Sequence, residues 1–255
     1  MLKGTREAYL LITKDYAIDP QNSLFMIHGT RGHEKLERYT PDDASSEIRI
    51  FDDISSGAYD LYEPEDGGTL TDNKFYGSYA TAKTIGLQKV KVQDGVYKTS
   101  KAGSYKAGDP KYKWIVKEGG RKSRLDLAIQ LNDYRMKLER EGKEVSRMIC
   151  EILVRDGGTY IAKSRGIMKN AYLVIVNKIS DRFVRRYMKK KADDLHKALE
   201  TGKMPRICSP RERWYDPKTG KSMKCCGYCS VWESCDYGRL QVEQFNPAKE
   251  SQEED

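Results

Sequence analysis

Five of the six cysteines fall between Cys208 and Cys235, and the first 149 residues contain none. This distribution divides the chain into a thiol-free body, which has to hold together by apolar burial, and a short end that can close around a metal. With 255 residues, 38% of them hydrophobic and 33% charged, the body is long enough to bury its own core, and the composition is that of a globular protein. No uncharged apolar run reaches the roughly 18 residues of a spanning helix. Charged residues, among them Lys3, Arg6, Glu7, Lys14 and Asp15, interrupt what would be the apolar centre of a signal peptide. The chain is therefore expected to be cytoplasmic or otherwise intracellular, with no membrane partner. In that compartment clustered cysteines read as a metal site rather than a disulfide framework. Cys150, inside the apolar run MICEILV, reads as a buried structural thiol.

The net charge of +8 is unevenly spread. From Lys89 to Arg124 there are eleven basic and three acidic residues, interleaved with Tyr97, Tyr105, Tyr112 and Trp114. A second run comprises Lys178, Arg182, Arg185, Arg186, Lys189, Lys190 and Lys191. Either run alone is an ordinary solvated surface. Together they point to nucleic acid, because lysines release counterions from phosphates and aromatic faces stack on unpaired bases.

Periodicity predicts a helix from His28 to Tyr39 with Leu36 and Tyr39 inward, then a half-buried strand EIRIFD over 47–52. Two short strands around a Pro, Asp and Gly rich turn form a hairpin signal. The segment 77–122 is an insertion, rich in Gly, Lys and Tyr, with room for one short helix and one strand. Ser123 and Asp126 open a helix carrying Leu125, Ile129, Leu131, Tyr134 and Leu138. Strands are expected at VSRMICEILV, TYIAKSR and AYLVIVNKI, and a helix from Ser180 to Glu200 with Gly202 beyond its end. This order implies an α/β fold with a central mixed β-sheet flanked by helices, and a small C-terminal Cys-rich metal knot. The expected division is a body over 1–204, a Cys-rich region over 205–240 and an acidic tail over 241–255, ending in KESQEED.

A hairpin loop from Pro64 to Gly68 pairs Tyr62 with Leu70 and sets Asp60 opposite Asp72. Opposed side chains have Cβ atoms about 4.5 to 5.5 Å apart, so the two carboxylates repel unless they share a hard cation. Alternation along the strand turns Lys74 to the face of Asp72 and Asn73 away from it. A divalent ion so held lowers the pKa of bound water and stabilises charge on a phosphate, with an ammonium alongside to orient the nucleophile. A surface salt bridge is the competing reading of D-x-K.

Gly57-Ala-Tyr-Asp60 followed by Asp72-Asn-Lys74 resembles the G-x-x-D and (D/E)-x-K signature of PD-(D/E)XK nucleases. Gln130-Leu-Asn-Asp-Tyr134 is similar to the Q-x-x-x-Y motif of the RecB-type branch, and Gly29-Thr-Arg-Gly-His33 resembles that branch's G-x-x-x-H helix, with His28 as a nearby competitor. The resemblance implies a restriction-endonuclease-like core. It implies that His33, Asp60 and Asp72 bind Mg or Mn, with the Asn73 carbonyl as a further ligand. Lys74 would position water, Gln130 and Tyr134 would support the site and the DNA backbone, and Glu47 would be a supporting or second-metal carboxylate. The spacing from Lys74 to Gln130 is longer than the family's, by the basic insertion.

Cys226-Gly-Tyr-Cys229-Ser-Val-Trp-Glu-Ser-Cys235 is C-x2-C-x5-C, with three soft ligands within ten residues. It resembles the iron–sulfur nucleases of the same branch, the AddB-like subunits and the CRISPR-associated exonucleases, in which a fourth cysteine precedes the nuclease motifs. This chain has none there, so the fourth ligand is Cys208, Cys225 or absent, with Cys208 favoured. A [4Fe-4S] cluster is expected, with zinc as the alternative. The implied activity is metal-dependent DNA exonucleolysis on single strands or free ends, in repair, recombination, phage replication or CRISPR adaptation. A non-catalytic DNA-binding module and a structure-preferring endonuclease are the alternatives. Thr219-Gly220-Lys221-Ser222 lacks the first glycine of a phosphate-binding loop, which would fall at Tyr215, so any helicase would be a partner protein.

Overall fold

The computed structural model describes residues 3–18, 20–119 and 124–246. Ser123, residues 120–122 of the insertion and the acidic stretch from Lys249 to Asp255 lie outside the described residues. The elements are α1 (Thr5–Thr13), α2 (Pro20–Glu37), β1 (Ser45–Phe51), β2 (Ser56–Glu63), β3 (Thr69–Tyr76), α3 (Ser78–Ile85), β4 (Gln88–Val96) and β5 (Pro110–Lys117). They continue with α4 (Leu125–Arg140), β6 (Arg147–Val154), α5 (Tyr160–Ser164), β7 (Ala171–Ile175), α6 (Asp181–Thr201), α7 (Met223–Gly227) and α8 (Asp236–Phe245). No helix among the described residues is long and apolar enough to cross a membrane.

Five strands form one mixed sheet in the order β1-β2-β3-β6-β7. β3 and β6 run parallel, and the other neighbours are antiparallel. A parallel pair requires a long crossover, and the chain supplies α3, the β4–β5 ribbon and α4 between those two strands. In β6 the residues Met148, Cys150, Ile152 and Val154 are buried and alternate with more exposed neighbours, so one face of the strand meets the core. Leu127, Leu131 and Leu138 of α4 join the same cluster with Ile50, Tyr59 and Leu70. Asn132, fully buried in α4, donates to the Asn177 carbonyl at 3.1 Å and accepts from the Ile179 N–H at 3.1 Å. That side chain ties the helix to the segment leading into α6.

Several expectations are corrected. TYIAKSR is not a strand but α5, because Thr159 Oγ1 accepts from the Ala162 N–H at 3.1 Å and caps a helical turn. Of its apolar residues only Ala162 enters the core, while Tyr160 and Ile161 stay exposed, which is not the period of a strand. The insertion holds a helix and two strands rather than one. Tyr39 is not inward but 76% exposed, since α2 ends at Glu37 before reaching it. The N-cap position of α4 is Arg124, without a side-chain cap. At the C-terminus α8 runs through to Phe245, past the expected start of the tail.

The unforeseen α1 packs on the Cys-rich end, not on the sheet. Tyr9 and Leu10 share a cluster with Ala198 of α6, Val231 and Cys235. Arg6 pairs with Asp236 at 2.5 Å and Glu7 with Lys224 at 2.5 Å. The two ends of the chain thus close on each other.

The hairpin turn depends on Gly68, whose φ of +82° no L side chain adopts easily, and whose carbonyl accepts from the Ser146 and Arg147 N–H groups at the start of β6. A Cβ there would lie 1.8 Å from the Glu144 carbonyl oxygen. Gly68→Ala is expected to lower unfolding stability by about 1 to 3 kcal/mol, read as a shift in urea midpoint at unchanged slope.

Candidate functional site

The pairing of the hairpin is as the loop length dictates: Tyr62 faces Leu70 and Leu61 faces Thr71. The paired ladder ends there, with Asp60 and Asp72 one step beyond it on the same register. Asp60 Oδ2 accepts from the Asn73 N–H at 2.6 Å. On the next strand Lys74 Nζ donates to Asp72 Oδ1 at 2.7 Å, and Gln130 Nε2 of α4 approaches the same oxygen at 3.3 Å. Gln130 also donates to the Tyr134 hydroxyl at 3.3 Å, one helical turn on. Asp60, Asp72, Lys74, Gln130 and Tyr134 are therefore brought together.

His33 is turned toward this group, while its competitor His28 is exposed. Its Nδ1 lies 3.1 Å from Glu47 Oε1 and 3.7 Å from Asp60 Oδ2. His33, Glu47 and Asp60 each offer one ligand atom, and these lie within 4.8 Å of one another. Glu47 reaches them at a backbone φ of +52°, uncommon for a residue inside a strand, where strain of order 1 kcal/mol or more is retained only if the surroundings enforce it. From sequence Glu47 is a supporting or second-metal carboxylate, and the geometry groups it with His33 and Asp60.

Two glycines let these elements approach. A Cβ at Gly57 would lie 2.5 Å from the Tyr134 hydroxyl, so the glycine of G-x-x-D makes room for the tyrosine of Q-x-x-x-Y. Gly32, not Gly29, packs α2 on the sheet: its Cβ would meet the Phe75 ring at 2.2 Å, while Gly29 touches nothing. Phe75 then holds the His33 ring edge-on, at 5.6 Å between centroids. Neither Gly32 nor Phe75 was singled out from sequence, although each adjoins a motif residue.

Burial dominates the electrostatics. It pushes Asp72 up to about 6, with Lys74 opposing and Asp60 reinforcing the shift, and it raises Asp60 as well. Burial also works against the Lys74 ammonium, yet the Asp72 carboxylate outweighs it and holds that group above the usual lysine range. Asp72 Oδ2 is buried with no hydrogen-bond partner, as is Asn73 Oδ1. A buried carboxylate oxygen without a donor is costly, and a cation would relieve it. The residues present thus fit a divalent metal. Asp72 stands outside the tight group of three but close enough to feel both Asp60 and His33.

A second constellation lies at the far end of the chain. Cys208, Cys225, Cys229 and Cys235 line one apolar pocket with Arg6 and Trp232. Burial, followed by the neighbouring thiols, pushes Cys225 up to about 12, and burial raises Cys229 to about 11. Cys226 lies outside that lining: it is buried and its Sγ donates to the Gln241 carbonyl at 3.3 Å. Adjacent cysteines in α7 point apart, so Cys225 faces the pocket and Cys226 does not. Among the described residues the thiols form no group of three within 4.8 Å. A single zinc with Zn–S bonds of about 2.3 Å would draw its thiolates to within about 4 Å. Cys150 is buried in the sheet, its thiol pushed up to about 12 by burial.

The chain matches no protein-family model, no curated protein and no solved structure.

Because Asp72 holds its proton more tightly folded than unfolded, its contribution to stability is complete below about pH 4 and is lost as pH rises to about 6. In EDTA at pH 7.5, Asp72→Asn should therefore raise the melting temperature by about 2 to 4 °C, a gain on the order of 1 kcal/mol in a chain of this size. The difference should vanish at pH 4. Equal melting of the two proteins at both pH values would contradict the assigned burial.

Proposed function

We propose that the protein is a divalent-metal-dependent deoxyribonuclease of the PD-(D/E)XK type, acting as an exonuclease on single-stranded DNA or on free DNA ends. One observation carries the reading: ligand atoms of His33, Glu47 and Asp60 converge within 4.8 Å beside a buried Asp72 oxygen that lacks a partner. The succession α2, β1, β2, β3, α4, β6, with β3 parallel to β6, supports a restriction-endonuclease-like core.

In this reading His33, Glu47, Asp60 and Asp72 would hold Mg or Mn, with the Asn73 carbonyl as a further oxygen. The ion supplies acidified water and neutralises charge on the phosphate. Lys74, held at Asp72, donates a hydrogen bond that orients the attacking water or a phosphate oxygen. Gln130 fixes the Asp72 carboxylate from the side of α4, and Tyr134 braces Gln130. Hydrolysis joins the water oxygen to phosphorus and breaks one P–O ester bond, leaving a phosphate end and a hydroxyl end. Opening of duplex DNA would fall to a helicase or recombination partner in a cytoplasmic setting.

The Cys-rich end supports a cluster that locks the two chain ends together. Cys208, Cys225, Cys229 and Cys235 line one pocket while, among the described residues, no three thiols lie within 4.8 Å, which favours a [4Fe-4S] cluster over a single zinc, since a four-iron body is larger than one ion. Cys225→Ser is then expected to lose the metal and its broad visible absorbance, and Cys226→Ser to keep both. The reverse result would restore Cys226 as the ligand.

The activity is tested with end-labelled single-stranded DNA and Mn. Wild type should shorten it, and Asp72→Asn, which stays folded, should be slower by about a hundredfold or more. A circular single strand should survive. DNA left intact by wild type and variant alike would favour a non-catalytic binding module, and a cut circle would favour an endonuclease.

A further inference from the structure

The insertion between β3 and α4 is a second site. β4 and β5 form a separate two-stranded ribbon, paired with each other and with no strand of the central sheet. Their register sets Lys91 opposite Trp114, Gln93 opposite Tyr112 and Lys89 opposite Val116, so these side chains share one face. On that face Trp114 is 65% exposed and Tyr112 46% exposed, so both rings are open to a partner. Lys91 Nζ sits 4.5 Å over the Tyr112 ring. From Gln88 to Lys117 there are eight lysines and two aspartates. Both aspartates are engaged within the ribbon, Asp94 by Lys113 at 2.8 Å and Asp109 by the Lys106 N–H at 2.7 Å.

The ribbon is built rather than loose. Tyr97 and Tyr105 stack at 3.7 Å and close its tip. At its root Gly166 packs under Leu87 and Val116, and Lys89 Nζ reaches Ser164 Oγ at 3.3 Å. The insertion leaves the core after Tyr76 and rejoins it at Arg124, whose guanidinium lies 5.0 Å over the Tyr76 ring. Tyr76 is two residues beyond Lys74, on the same face of β3. The ends of the insertion at Tyr76 and Arg124 therefore lie next to the candidate nuclease site, while the ribbon itself is seated on Gly166 and Ser164.

We propose that the Tyr112–Trp114 face of the β4–β5 ribbon binds an unpaired DNA strand, stacking bases on the two rings while the lysines carry the phosphates. Rings two residues apart on a strand are separated by about 6.8 Å. Successive stacked bases rise by about 3.4 Å, so the face matches two base steps. Every base offers a π-face, so the contact is tolerant of sequence, and a duplex hides those faces. Charge decides the occupant: a second copy of this chain, also basic, would repel a face with this lysine excess. The inference rests on the nuclease reading for its direction, in that the strand held here is the strand delivered to Asp72 and Lys74.

Binding can be measured without cleavage. A fluorescent oligothymidylate and a duplex of equal length are titrated in EDTA with the full chain, with Tyr112→Ala/Trp114→Ala and with Trp114→Phe. Wild type should prefer the single strand, the double variant should bind it about tenfold or more weakly, and Trp114→Phe should retain most of the affinity. Oligonucleotide should quench tryptophan fluorescence in wild type and much less in Trp114→Phe, a readout that stands even if the double variant folds poorly. Equal single-strand affinity in wild type and double variant, together with equal quenching in wild type and Trp114→Phe, would overturn the proposal. So would a wild-type dimer that Trp114→Ala dissociates while DNA binding is unchanged. Failure of the nuclease reading looks different: strand binding persists in EDTA but Mn elicits no cutting.

Discussion

The structure turns on a carboxylate placed in the middle of a sheet. Asp72 lies on β3, which is hydrogen-bonded to β2 on one side and β6 on the other, and it is 1% exposed. Removing a carboxylate from water is unfavourable by several kcal/mol unless charge and hydrogen bonds answer it. Lys74 and Gln130 answer one oxygen; the other has no donor. Much of the nearby architecture bears on that imbalance: α4 is docked to bring Gln130 in, Gly57 is small so that Tyr134 can back it, and α2 leans on Phe75 so that His33 faces the same spot.

Other buried ion pairs tie elements of the fold to one another. Asp133 and Lys137 are buried like Asp72, and Ser55 bridges them, its hydroxyl donating to Asp133 Oδ2 at 3.1 Å and accepting from Lys137 Nζ at 2.6 Å. That pair fastens α4 beneath the turn between β1 and β2. Arg135 with Glu139 and Asp181 fastens α4 to α6. At Asp72 one oxygen has no donor, and the left-handed backbone of Glu47 lies nearby.

Legibility in the sequence followed the range of the interaction. Local rules were enough for the hairpin: loop length and period two fixed its register, placed Lys74 with Asp72, and put Gln130 and Tyr134 on one helical face. They failed for α5, where a threonine cap outweighed an apolar look. Spacing along the chain says how far a thiol can reach but not to which side of α7 it turns, and Cys226 Sγ turns to the Gln241 carbonyl.

By itself the sequence determined the α/β class, the identity of the polar groups at the centre and the presence of a thiol-rich end, because each follows from residue type and short-range periodicity. Only the tertiary structure decided that Glu47 stands with His33 and Asp60, that Gly32 rather than Gly29 seats α2, that α1 folds onto the Cys-rich end, and that β4 and β5 of the insertion stand as a ribbon seated on Gly166 and Ser164. Those outcomes depend on contacts between residues far apart in the chain, whose closure is selected by the packing of whole elements and leaves no periodic trace in the segments that meet.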